Sequence, residues 1–287
     1  MANQTNSNIH VSSDLNVITQ AYFELAKKYW TISLVCKLLV FLIGLTSVFF
    51  VVFTTFAPFI IVLLEISSEI LLWLSDRTKN NIAEPLRRKL DARDSFGWSI
   101  SKSELSDIMA KTSDNLYKLA PSETKGKEYF ASKETDGARK ALENIQESAW
   151  WSKHLSERMF VYCLVATICI LVITFISLLL SIQITDNQEF IKNIGRTVTS
   201  GLMLLFTLGL LRMVIGYYEF SQSSLQIEKG IDHLLLSQKI NDFDAIKIMH
   251  EYQFARASSP LLPTWVWKQM RGKLNKMWNS YRQQQVN

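Results

Sequence analysis

The sequence predicts an all-α fold, a polytopic membrane protein with four transmembrane helices arranged as two hairpins plus cytosolic helices. Three observations lead there. Hydrophobic residues make up 48% of the 287, Gly and Pro number only 10 and 5, and the apolar residues are gathered into four long runs. Scarce turn formers favour helix over sheet. A helix needs about 20 apolar residues to cross the hydrocarbon core of a bilayer.

The first run covers residues 33–53, with Lys37 near its start, and the second covers 58–74. Only Thr54, Thr55, Phe56 and Ala57 separate them before Pro58, so the chain is expected to re-enter at once. Proline suits the first turn of a helix. The third run, 159–182, has no charged residue, and the fourth, 197–217, contains Arg212. Residues 183–196 join these two as a short outer turn. The organisation expected is a cytosolic N-terminal segment at 1–32, hairpin one at 33–75, a cytosolic helical segment at 76–158, hairpin two at 159–217, and a cytosolic helical region with a basic tail at 218–287.

Orientation follows from Lys and Arg near the ends of the spans. Lys27, Lys28 and Lys37 stand at the start of the first run, and Arg77, Lys79, Arg87, Arg88, Lys89 and Arg93 follow the second. Lys153 and Arg158 precede the third, whereas the outer turns hold only Lys192 and Arg196. Both termini and the central segment are therefore expected in the cytosol of a plasma membrane. The first 16 residues lack a basic region followed by an apolar one, which argues against a cleaved signal peptide.

The central segment reads as helical, with a charged stretch at 76–93, a break at Phe96-Gly97-Trp98 and a helix at 103–119 opened by Ser103 and Glu104. A loop at 121–126 comes next, then a helix from Lys133 through Trp150-Trp151 into the third run. Paired tryptophans before a span read as an interfacial belt. After the fourth run, helices are expected at 226–239 and 241–257, a break at 258–264, and an amphipathic helix at 265–282. No acidic residue occurs from Tyr252 onward. Such a tail suits either anionic lipid or phosphates, with Trp265, Trp267, Trp278 or Tyr281 stacking on bases.

Catalysis is not expected. His10, His154, His233 and His250 are scattered without metal-ligand spacing. Nucleophile-elbow, phosphate-loop and dinucleotide patterns are missing. Cys36, Cys163 and Cys169 lie in apolar runs and read as small buried hydrophobes. No cofactor or metal is implied. The chemistry lies in Glu65 and Glu69, one helical turn apart in the second run, with Ser68 beside them. Charged side chains inside a span usually face a bundle interior or water. These glutamates line a pore, with Lys37 and Arg212 as further candidates, or pair with Arg212, or sit near the interface on a tilted helix, and Arg212 and Lys37 can equally snorkel. Four spans rarely enclose a pathway alone, so a homo-oligomer, with a tetramer as the guess, is expected.

The span layout carries a resemblance together with Leu86-Arg87-Arg88-Lys89-Leu90-Asp91, Phe96-Gly97-Trp98 and residues 147–155 (Glu-Ser-Ala-Trp-Trp-Ser-Lys-His-Leu). The chain resembles the bacterial S-4TM pore-forming effectors, which accompany SMODS-type nucleotidyltransferases in antiphage defence. The resemblance implies a bacterial inner-membrane channel controlled by a nucleotide signal from a partner enzyme encoded nearby. In the Hailong-type arrangement the signal is a short DNA oligomer that holds the channel closed. Arg87, Arg88, Lys268, Arg271, Lys273, Trp267 and Trp278 are then the ligand-binding candidates, since Lys and Arg meet the regular charge of an oligonucleotide. The alternative is a non-conducting membrane scaffold that recruits a cytosolic partner protein.

Overall fold

The structure is a computed structural model, and it describes residues 2–49, 56–121, 130–183, 195, 198, 201–202, 205, 208–237 and 240–286. Thr54 and Thr55 of the expected re-entry, Lys192 and Arg196, the loop at 122–126 and many positions of the fourth run lie outside them. The described elements are helical throughout: α1 (Ala2–Phe49), α2 (Ala57–Thr78), a π-helical turn (Lys79–Ala83), α3 (Glu84–Phe96), α4 (Lys102–Lys111), α5 (Asp114–Tyr117), α6 (Ala138–Gln183), α7 (Leu210–Leu235), α8 (Asp242–Ser258) and α9 (Thr264–Val286). Two helical stretches, Ala57–Phe96 and Ala138–Ile176, are long and apolar enough to cross a membrane. Only 11% and 22% of their apolar windows are buried.

The chain divides into two compact units. The polar unit comprises Met1–Lys27, Asp76–Glu157 and Tyr218–Asn287; the apolar unit comprises Lys28–Ser75 and Arg158–Tyr217.

The polar unit has two apolar clusters. One joins Leu142, Ile145 and Ala149 of α6 to Phe220, Ile227 and Ile231 of α7 and to Met249 and Tyr252 of α8. On α6 the contributing positions recur every three or four residues, which is the pattern of one helix face. The other packs Leu15, Ile18, Ala21 and Tyr22 of α1 against Leu86 and Leu90 of α3 and Leu116. Helix α3 stops where Gly97 adopts φ 69° and donates its N–H to the Arg93 carbonyl. A Cβ at Gly97 would sit 2.7 Å from Asp136 Oδ2, the end of an exposed side chain that can swing aside, so the cost of a side chain there is chiefly the left-handed backbone.

Several expected boundaries shift. The helix expected at 103–119 is α4 and α5, interrupted at Thr112 and Ser113. Its cap is Ser101, whose Oγ accepts from the Glu104 N–H, because Ser103 already lies inside the helix. The helix expected from Lys133 begins at Ala138, one residue after Gly137. Trp150 and Trp151 are also placed differently. Trp150 is buried against Trp278, with ring centroids 5.2 Å apart, so it belongs to the packing of the polar unit and not to an interfacial belt.

In the apolar unit, α1 and α2 are joined by polar contacts. Ser33 and Ser68, both fully buried, share a hydrogen bond of 2.7 Å. One turn further along α1, Lys37 Nζ donates to Glu69 Oε1 at 2.7 Å. On α6, Cys163, Thr167 and Thr174 lie on the buried face while Val165, Ile168, Val172 and Phe175 are exposed.

Candidate functional site

The polar unit contains a cavity of about 550 Å³, within the size range of small-molecule pockets. Its lining brings together Gln20, Phe23 and Lys27 of α1, Lys79 of the π turn, Glu84 and Arg87 of α3, and Phe130. Helix α6 adds Glu147, Ser148, Trp151, Ser152 and Leu155; Tyr252 and Arg256 come from α8, and Trp267, Arg271 and Asn275 from α9. Five lining residues are cationic (Lys27, Lys79, Arg87, Arg256, Arg271) and two are acidic (Glu84, Glu147).

One wall is a buried ionic network. Glu84, Arg87 and Asp91 lie on one face of α3, at spacings of three and four. Arg87 Nε reaches Asp91 Oδ1 at 3.0 Å. Arg256 of α8 reaches Glu84 Oε2 and Asp91 Oδ2, each at 3.1 Å. Burial alone would lower the pKa of Arg256, but Asp91 and Glu84 hold it above the ordinary guanidinium value. Lys79 donates to the carbonyls of Ala257 (2.7 Å) and Ser259 (2.5 Å) at the C-terminal end of α8, where a cation complements the helix dipole. Burial lowers its pKa, against the pull of Glu84 and Asp76. The π turn that carries Lys79 is a local irregularity of a kind often found at functional sites.

The opposite wall is aromatic and basic. The Arg271 guanidinium lies over the Trp267 ring at 4.8 Å, one turn along α9. Lys27 pairs with Glu24 at 2.8 Å and donates to Thr264 Oγ1 at 3.2 Å, at the start of α9. Phe130 covers the Arg87 guanidinium at 5.3 Å. The backbone beside it is clipped to α6, since the Ala131 N–H donates to Glu147 Oε2 and Ser132 Oγ donates to Glu143. Burial pushes the Glu147 carboxyl up, against the Ala131 N–H and the Arg282 charge.

No family model, curated protein or solved structure matches the chain. The functional reading therefore stands on the residues themselves. A cavity lined by five cationic and two acidic residues and by aromatic rings suits an anion that carries a planar ring.

Of the residues singled out in the sequence, Arg87, Trp267 and Arg271 are brought together in this cavity. Arg88, Lys268, Lys273 and Trp278 are not in its lining. Lys268 and Lys273 are exposed on α9. Trp278 is 5% exposed and fills a stack between Trp150 and Tyr281. Sequence reasoning missed Lys79, Trp151, Tyr252 and Arg256 as partners in one site. The 84–87–91 charge spacing was the visible signal for part of it.

In the apolar unit, Glu69 is bound to Lys37, the pairing that sequence reasoning had not weighed. Lys37 is 6% exposed and Ser68 is fully buried, so both face into the helix pair, whereas Glu69 remains 60% exposed. Glu65 is partly buried, and its Oε2 has no hydrogen-bond partner. Arg212 is exposed and has no ion pair among the described residues. No group of His, Cys, Asp and Glu among the described residues has the arrangement of a metal site.

Proposed function

We propose that this chain is a bacterial antiphage membrane effector that forms an oligomeric ion channel, gated by a nucleotide or oligonucleotide from a partner nucleotidyltransferase. In this reading the four apolar runs are spans of the inner membrane and both termini are cytosolic. The observation that carries it is the cavity of the polar unit. Its basic and aromatic lining matches a phosphate-bearing base, and Trp267 with Arg271 offers a stacking face and a charge within one helical turn. Glu65 and Glu69 place acidic charge at the pore wall, Glu69 where neighbouring copies meet.

The test pairs binding with flux. Titration with short single-stranded DNA is expected to quench the cavity tryptophans and to change ion flux from proteoliposomes. Trp267→Ala should weaken binding by about 1–3 kcal/mol, the value of one base–aromatic stack. Arg271→Ala should weaken binding and flatten its salt dependence. Glu65→Gln/Glu69→Gln should alter conductance without changing ligand affinity. A flux indifferent to both ligand and glutamates would sink the proposal. The second reading, a non-conducting scaffold, draws on the exposed Phe243 and Phe254 of α8 as a docking face for a partner protein. It expects no flux at all.

A further inference from the structure

Two charged side chains of the apolar unit are exposed on helices whose surroundings are apolar. Glu69 stands on α2 among the exposed Ile66, Ile70 and Trp73. Arg212 stands on α7 beside the exposed Leu211 and Ile215. An exposed charge within a membrane span is costly and finds a partner or water. Glu69 has half an answer, since one carboxylate oxygen accepts from Lys37 and the carboxylate remains 60% exposed. Arg212 makes no ion pair among the described residues.

Both charges lie a similar number of residues inside the limits of the apolar unit, Glu69 six before Ser75 and Arg212 five before Tyr217.

We infer that Arg212 of one copy binds the Glu69 carboxylate of the next copy, an interface that rests on the oligomeric reading proposed above. Each copy then offers one donor on α7 and one acceptor on α2. Such a head-to-tail contact is heterologous, and repeated around an axis normal to the membrane it closes a ring. Lys37 orients the acceptor, and a guanidinium can share a carboxylate that already binds one ammonium. The apolar chains around both positions become buried between copies instead of facing lipid.

The experiment is association in lipid nanodiscs, read as the distribution of copies per disc. Wild type is expected to form a ring, Arg212→Met to dissociate at least tenfold more readily, and Arg212→Lys to remain mostly assembled. As a second measurement that leaves both charges in place, Ile70→Cys and Leu211→Cys are carried on two differently tagged copies, with Cys36, Cys163 and Cys169 replaced by Ser. A short bismaleimide should link the two tags only when both cysteines are present. An assembled Arg212→Met protein with unchanged stability, or no mixed-tag link in assembled protein, overturns the Arg212–Glu69 contact and leaves the channel reading standing. A wild type that stays single at every protein-to-lipid ratio overturns both.

Discussion

The polar and apolar units solve the burial problem in opposite ways. In the polar unit the carboxylates of Glu84 and Asp91 are buried and held by Arg87 and Arg256, while apolar side chains from α6, α7 and α8 close over one another. In the apolar unit the serines and Lys37 turn inward, and Phe59, Leu63, Ile66, Val165, Ile173 and Phe175 face out. Exposed apolar surface of that extent marks a lipid or partner environment. The difference teaches that each unit presents the chemistry of its own solvent. Internal polar contacts hold both, and their strength should differ with the reference state.

The largest expected break in that comparison is Arg256→Ala. It strands Glu84 as a buried charge and leaves Asp91 with Arg87 alone, and removal of one partner of a buried pair costs about 3–5 kcal/mol. Thermal unfolding followed by tryptophan fluorescence should show the loss, and Arg256→Lys should recover only part of it. Gly97→Ala comes next, at roughly 1–2 kcal/mol for a left-handed residue that gains a Cβ. An unchanged midpoint would mean that the α3 terminus is free to rearrange.

A pH scan sharpens the contrast further. Burial, and then the Lys153 charge, hold His154 below the ordinary 6.5. Between the lowered value and 6.5 the unfolded chain binds more protons than the folded one. The stability contributed by neutral His154 is therefore present above about pH 6.5 and lost as pH falls below it. His154→Asn should remove that part of the pH dependence. The smallest effect belongs to the apolar unit, where Ser68→Ala deletes the Ser33 hydrogen bond. Hydrogen bonds between membrane helices average about 0.6 kcal/mol, because the unfolded reference in lipid also finds partners. A loss several times larger would place this pair in a setting unlike lipid.

The helices themselves were readable because apolar runs and 3.6-residue periodicity are local properties. The break at Gly97 and the helices after residue 241 followed from short-range chemistry that any window of sequence contains. The cavity of the polar unit was readable only in part. Arg87, Trp267 and Arg271 stood out as basic and aromatic residues, but Arg256 meets Glu84 from 172 residues away in the chain. Lys79 likewise caps α8 across a separation of 180 residues. Trp278 misled for a physical reason. A tryptophan on a basic helix looks the same in sequence whether its ring is offered to a base or spent on another indole.

That indole pair has a further use. Trp150 and Trp278 lie 5.2 Å apart with ring planes inclined at 46°. Two identical chromophores so close and so tilted couple their excited states, and the coupling gives a signed couplet in circular dichroism. Trp150 and Trp151 form a second close pair within α6, so the part of the couplet that Trp278→Phe removes is the optical gauge of whether the C-terminal helix is docked. The protein thus carries, without any added label, an optical reporter of how α9 rests on α6.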